Sequence, residues 1–289
     1  MSRHLFKRAQ TLKRGSVSRK NAALRTCPSR LPSPKKILPI FSKFDNSSLQ
    51  SNEVFVYLQR RIEKGMEAFY RTHSYLVEHT NAPVRRDLMD EIDWSDRLIG
   101  VKGTRGVGKT TFLLQYAKEK FGYDRSCLYV NMNNFYFSQY SLVDFAGEFV
   151  KRGGKVLLVD QVFKLPNWSH DLRTCYERYP QLKIVFTGSS VMRLKEENPE
   201  LNGIVKSYNL RGFSFREFLN LQTGNHFSPY TLDEILHNHE HIAKTILPYI
   251  NPLNYFQDYI HHGFYPFFLE KRNFSENLLK TMNMMIEVD

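Results

Sequence analysis

Short apolar runs alternate with stretches in which apolar residues recur every three or four positions. The runs predict strands at 97–103, 127–132, 155–160, 183–188 and, more briefly, 205–210. The stretches between them predict helices at 109–121, 141–152 and 168–179. Apolar strands separated by helices indicate a parallel sheet covered on both faces, which is an α/β fold.

Helical patterns also lie on both sides of this alternating region. Residues 54–79 have apolar positions at helical spacing, and a last helix is predicted at 277–285. Capping-box spacing at 214–217 and 231–234 opens two further helical stretches. Residues 250–272 are dense in aromatic side chains, which we interpret as helical core packing.

These patterns divide the chain of 289 residues into four parts. We predict a tail at 1–50, a helical lead-in at 51–92, an α/β core at 93–212 and a helical segment at 213–289.

Positive charge is concentrated in the tail. The formal net charge is +12, and residues 1–40 contain eleven Lys and Arg and no Asp or Glu. Disorder without a specific role is the simplest interpretation. There are three alternatives: the tail is an organelle transit segment, it is an arm that contacts nucleic acid, or translation truly begins at Met66. The body of the chain is balanced in charge, so its composition does not indicate nucleic acid.

Hydropathy and cysteine content restrict the class of protein further. No apolar run approaches the ~18 residues that span a bilayer, so we expect no membrane contact. The three cysteines, Cys27, Cys127 and Cys175, show no paired spacing. Their scatter argues against a disulfide framework and favours a reducing, cytoplasmic location.

Residues 103–110 read GTRGVGKT, the phosphate-loop pattern, between a predicted strand and a predicted helix. Glycines let the loop backbone wrap around phosphates, the lysine reaches them, and the last hydroxyl ligates Mg²⁺. The predicted nucleotide-binding residues are Gly103, Thr104, Arg105, Gly106, Val107, Gly108, Lys109, Thr110 and Thr111.

The ends of two later strands provide the candidate metal-binding and catalytic residues. Asp160 ends the run KVLLVD and is predicted to hold Mg²⁺ with Thr110, directly or through water. Gln161 follows it, where an acidic residue often polarises the attacking water. Ser189 and Ser190 follow the strand KIVFTG; they would reach the γ-phosphate or simply cap the next helix.

With these motifs in this order, the chain resembles the bacterial and archaeal AAA+-type ATPases of the AAA_14 group. The resemblance covers about residues 66–289. It rests on the stretches at 106–115, 128–137, 166–169, 186–190, 212–219 and 263–270. It implies an ASCE-type P-loop sheet, in which the strand of Asp160 lies between the phosphate-loop strand and others. It also implies ATP, Mg²⁺ and a helical lid-like segment.

The chain departs from that family in three places. The family has Glu, which activates water, where this chain has Gln161. Similar proteins carry arginine where residues 200–204 read ELNGI, and Arg193 or Arg211 are the candidate replacements. The family also continues beyond the point at which this chain stops, so we expect a C-terminal domain to be missing.

The sequence therefore predicts an ATP-binding AAA+-like protein with weakened or lost hydrolysis. Gln161 would position water, and Ser189 or Ser190 would sense the γ-phosphate. A protein partner or a homo-oligomer is expected beside ATP. The alternatives are a nucleic-acid-binding module that uses residues 1–40, or an inactive remnant.

Overall fold

A computed structural model describes residues 65–188, 198–270 and 273–288. The strands are β1 (Leu98–Lys102), β2 (Cys127–Asn131), β3 (Val156–Asp160), β4 (Lys183–Gly188) and β5 (Lys206–Asn209). They form one five-stranded sheet in the order β2-β3-β4-β1-β5, and every pairing is parallel. The predicted α/β fold with a parallel sheet is confirmed.

The helices alternate with the strands as predicted. The helix α1 spans 65–79 within the described residues. The others are α2 (Leu88–Glu91), α3 (Lys109–Lys120), α4 (Leu142–Lys151), α5 (Trp168–Arg178), α6 (Phe215–Thr223), α7 (Leu232–Ile246), α8 (Leu253–Asp258) and α9 (Phe274–Val288).

Each strand sends successive side chains to opposite faces of the sheet, because the side-chain period of a strand is two. On one face, Leu128 and Leu157 pack with α1, α4 and α5. On the other face, Ile99 and Leu158 pack with α2 and α3. Both faces are therefore covered, which explains why β1 to β4 are apolar and buried along most of their length, whereas β5 at the edge is polar.

The register aligns the carboxyl ends of the strands along one edge of the sheet. Asn131 at the end of β2 pairs with Asp160 at the end of β3. Lys102 at the end of β1 pairs with Gly188 of β4. The strand β4 separates β3 from the phosphate-loop strand β1, and β2 lies beyond β3.

The outer edge of β2 is covered by α1. His73 of α1 is buried, and its Nδ1 accepts a hydrogen bond of 3.1 Å from the backbone N–H of Tyr129. This contact gives a partner to an edge N–H that no strand of the described residues reaches. It also fixes β2, and with it the side chain of Tyr129.

The aromatic residues of the C-terminal segment do not form the buried helical core that we predicted. Between 251 and 270, only Gly263 is buried. The backbone there is broken into α8, a π-turn at Tyr259–Gly263 and a 3₁₀ turn at Pro266–Glu270. The rings pack on one another and on Phe218, while the Phe213 N–H donates to the Phe264 carbonyl at 2.8 Å.

Candidate functional site

The phosphate loop follows β1, and its shape depends on three glycines. A side chain on Gly103 would place Cβ only 2.3 Å from the carbonyl oxygen of Leu210, so the residue must be glycine. Gly106 and Gly108 have φ angles of 85° and 91°, in the left-handed region that other residues avoid. Between them, the side chain of Val107 is fully buried and anchors the loop to the core.

The loop leads directly into α3, whose first residue is Lys109. The Nζ atom of Lys109 donates to the carbonyl oxygens of Gly103 and Thr104, at 2.7 Å and 2.8 Å. The lysine is therefore folded back along the loop that it belongs to. Backbone N–H groups at the start of a 12-residue helix, together with a cation, form a site suited to an anion.

Asp160 lies beside the start of α3 and is almost completely buried. Its Oδ2 accepts hydrogen bonds from Thr110 Oγ1 and Tyr129 Oη, each of 2.8 Å, and from Asn131 Nδ2 at 3.2 Å. Its Oδ1 accepts a hydrogen bond from the hydroxyl of Thr187. This buried carboxyl group is thus surrounded by donors, as a buried polar group requires.

Gln161 adopts an unusual backbone conformation. Its φ and ψ are 56° and 46°, and it is the only non-glycine residue with positive φ in the described part of the chain. Its backbone N–H donates to Thr187 Oγ1 at 2.9 Å, so Thr187 links Gln161 to Asp160. Left-handed backbone at a non-glycine residue costs on the order of 1 kcal/mol and is common at functional sites.

Arg86 connects the loop to the segments that follow β5. Its guanidinium donates to Glu217 Oε1 at 2.9 Å and to the Val107 carbonyl at 3.1 Å. It also donates to the carbonyls of Arg211 and Gly212, at 2.6 Å and 3.0 Å. One buried side chain thus ties the residues before β1, the phosphate loop and the start of α6 together.

These elements enclose a cleft of about 470 Å³. Pro83 and Val84 form part of its apolar wall, and the turn at Pro266–Glu270 forms another part. A ring carbon of Phe267 lies 3.1 Å from the position that a Cβ on Gly106 would occupy. The C-terminal aromatic turn therefore rests on the phosphate loop itself.

The structure brings most of the predicted site residues together. The cleft is lined by Gly103, Arg105, Gly106, Val107, Gly108, Lys109, Thr110, Thr111, Asp160 and Gln161. Thr104 takes part through its carbonyl, which accepts a hydrogen bond from Lys109. Ser189, Ser190 and Arg193 lie outside the described residues.

Of the two candidate replacements for the missing arginine, Arg193 lies outside the described residues and Arg211 is not brought to the cleft. Neither Arg211 nor residues 200–204 line it. Arg211 is exposed and contributes its carbonyl to Arg86. Leu201 is buried in the core instead, and the Glu200 carbonyl accepts a hydrogen bond of 3.1 Å from Arg173 of α5.

Sequence reasoning missed Arg86, Tyr129 and Asn131. The signal for Asn131 was available, because it is a polar residue at the carboxyl end of a strand, where ligands of parallel sheets gather. Tyr129 stands within a buried apolar run, so its hydroxyl gave no signal. Arg86 lies in a polar stretch, and its partners are up to 131 residues away.

A parallel sheet with a glycine loop before α3 and a buried Asp160 beside it defines a P-loop nucleotide-binding fold. Residues 95–219 match the model of the AAA_14 family, described as an AAA domain. The core of the chain is therefore similar to AAA domains, and the chain is a nucleotide-binding, AAA+-like protein.

Among solved structures, the chain is similar to the "Structure of C. elegans PCH-2". The two are 18% identical with a TM-score of 0.33, over 64% of this chain and 48% of that one. Our chain thus spans about half the length of that protein. No curated protein matches the sequence. Within the described residues, no helix is long and apolar enough to cross a membrane.

Proposed function

We propose that this protein binds ATP with Mg²⁺ and hydrolyses it slowly or not at all. The observation that carries the proposal is the hydrogen bond of 2.8 Å between Thr110 and Asp160, next to Lys109 and followed in the chain by Gln161. Thr110, Asp160 and Lys109 supply the groups that binding of ATP with Mg²⁺ needs. Gln161 stands where hydrolysis would need a carboxylate.

The residues of the cleft suit both Mg²⁺ and ATP. Mg²⁺ prefers oxygen ligands, and the Thr110 hydroxyl and Asp160 carboxylate offer them side by side. Lys109, Arg105 and the first N–H groups of α3 suit the negative charge of the phosphates. Apolar walls such as Pro83 and Val84 suit a base, as in ligand sites that combine apolar surface with a few polar groups.

Hydrolysis needs an acceptor for the proton of the attacking water. Gln161 is an amide, so it orients water through hydrogen bonds but does not accept that proton. Asp160 is engaged by its donors, and Glu270 is the only other carboxylate among the described residues that line the cleft. This distribution supports binding with slow turnover.

ATP affinity measured beside ATP turnover tests the proposal. We expect the wild type to bind ATP and to release phosphate slowly. Lys109→Ala should abolish binding, while Lys118→Ala should leave it unchanged. Lys118 is a suitable control because it lies on the same helix but is exposed, with its Nζ 2.9 Å from the Thr80 carbonyl. Fast ATP turnover by the wild type that disappears in Lys109→Ala would contradict the proposal that hydrolysis is slow. Undetectable ATP binding by the wild type would contradict the proposed function as a whole.

The basic tail favours a second candidate function, in nucleic acid binding. Residues 1–40 lie outside the described residues, so the support is their excess of eleven positive charges. Binding of this kind falls steeply with salt. We expect deletion of residues 1–40 to abolish any salt-sensitive affinity for RNA or DNA. Retained affinity after the deletion would rule out this role.

We also infer assembly with a protein partner or a second copy, in the cytoplasm. Helix α7 has no buried residue, and its Leu232 and Leu236 are 72% and 65% exposed. Exposed apolar side chains of this size favour an interaction surface. Cys127 and Cys175 are unpaired and buried, which supports a reducing compartment.

A further inference from the structure

The donors around Asp160 are shared unevenly between its two oxygens. Each carboxylate oxygen has about two lone pairs. Thr110, Tyr129 and Asn131 donate to Oδ2, and Thr187 donates to Oδ1. Any cation that bound Oδ2 directly would have to displace one of its three donors.

Two of the four donors come from β2 and belong to neither the phosphate loop nor the Asp160 strand. Tyr129 is 5% exposed, and its position is fixed at the backbone by His73. Asn131 is in register with Asp160, and its Nδ2 is 3.5 Å from the Tyr129 hydroxyl. Both reach the same oxygen that accepts from Thr110.

We propose that Tyr129 and Asn131 are positioning residues for the metal–nucleotide site. They hold Asp160 Oδ2 in place as the acceptor for the Thr110 hydroxyl, and so keep the two oxygens that would hold Mg²⁺ in a fixed arrangement. This inference rests on the proposed binding of ATP with Mg²⁺. Strand β2, which contains neither the phosphate loop nor Asp160, thereby contributes to the site.

Packing alone is the competing explanation for Tyr129, because a buried phenol needs some partner for its hydroxyl. Packing does not require that Tyr129, Asn131 and Thr110 converge on one carboxylate oxygen. The two explanations predict different losses. A packing role would weaken folding, whereas a positioning role would weaken only the binding that depends on the metal.

The experiment compares ATP affinity in Mg²⁺ with ATP affinity in EDTA, by calorimetry on the full chain. Loss of an outer-shell partner typically costs about 10–100-fold in metal affinity. We therefore expect Tyr129→Phe to weaken binding in Mg²⁺ by roughly 10-fold and to leave binding in EDTA unchanged. Asn131→Ala should act in the same direction and serves if Tyr129→Phe does not fold.

Tyr179→Phe is the matched control. Its hydroxyl donates to the Val143 carbonyl at 3.2 Å, away from the cleft, so removing it should change neither affinity. Equal weakening in Mg²⁺ and EDTA, or no weakening in either variant, would overturn the positioning role while leaving ATP binding intact. A wild type that binds ATP under neither condition would overturn the proposed function as well.

Discussion

The guanidinium of Arg86 donates to the carboxylate of Glu217 at 2.9 Å, across 131 residues of sequence. Both side chains are buried, with exposures of 9% and 6%. Glu217 also accepts from the backbone N–H of Ser214 and so completes the capping box that starts α6. The pair therefore joins the start of α6 to the phosphate loop through a single arginine.

Replacing Arg86 by Met should strongly destabilise the protein. Breaking a buried ion pair leaves one charge without a partner, which costs about 3–5 kcal/mol. The Val107, Arg211 and Gly212 carbonyls would lose their donor at the same time. Urea unfolding followed by circular dichroism measures the loss.

Arg85→Met is the control for that change, because the neighbouring Arg85 pairs with Asp90 at the surface. Exposed pairs contribute about 0–1 kcal/mol, so the control should be close to wild type. Equal losses for the two variants would contradict the structural role given to Arg86. The double variant Arg86→Met/Glu217→Gln should recover part of the loss, since it removes both charges.

Replacing Gln161 by Glu should raise ATP turnover if the missing proton acceptor limits the reaction. A positioned general base contributes about 10²–10⁴-fold where it acts. Phosphate release under saturating ATP measures the gain. Gln161→Gly is the control, because it keeps the left-handed backbone and removes the side chain. If neither variant differs from wild type, another missing group limits turnover.

Burial lowers the pKa of His73 from 6.5 to about 4. The unfolded chain therefore takes up a proton between these values that the folded chain does not, and stability falls as the pH falls from 6.5 to 4. A shift of this size corresponds to about 3 kcal/mol. Protonation of Nδ1 would also remove the acceptor for the Tyr129 N–H.

The contribution of His73 is isolated by measuring the free energy of unfolding of the wild type and of His73→Asn at several pH values. The variant keeps an acceptor near Tyr129 and removes the titrating ring. We expect the difference between the two proteins to change with pH only between about 4 and 6.5. A constant difference would show that His73 does not titrate in this way.

Gly103→Ala should damage the phosphate loop. Its new Cβ would lie 2.3 Å from the Leu210 carbonyl oxygen, and backbone at that distance has to move. Overpacking of this kind costs about 1–3 kcal/mol, and the displaced loop should bind ATP more weakly. Gly153→Ala is the control, because no atom lies within 4 Å of its new Cβ. It should leave ATP affinity unchanged, although its φ of 84° makes it mildly destabilising.

The sequence by itself determined the sheet and the phosphate loop. Continuous apolar strands and the helices between them follow from local periodicity, and GTRGVGKT holds its glycines and lysine within one short stretch. The predicted strands match β1 to β5 within a residue or two at their ends. The position of Asp160 at a strand end followed from the same pattern.

Only the tertiary structure decided what surrounds these residues. Arg86 finds its partners in three separate segments, and Tyr129 reaches Asp160 because β2 lies beside β3 in the sheet. The aromatic turn at Pro266–Glu270 rests on Gly106, although its composition suggested helical core packing. Periodicity along a chain reports which face of an element is buried. It carries no information about which distant side chain meets that face, because such contacts depend on the order of strands and the path of the loops.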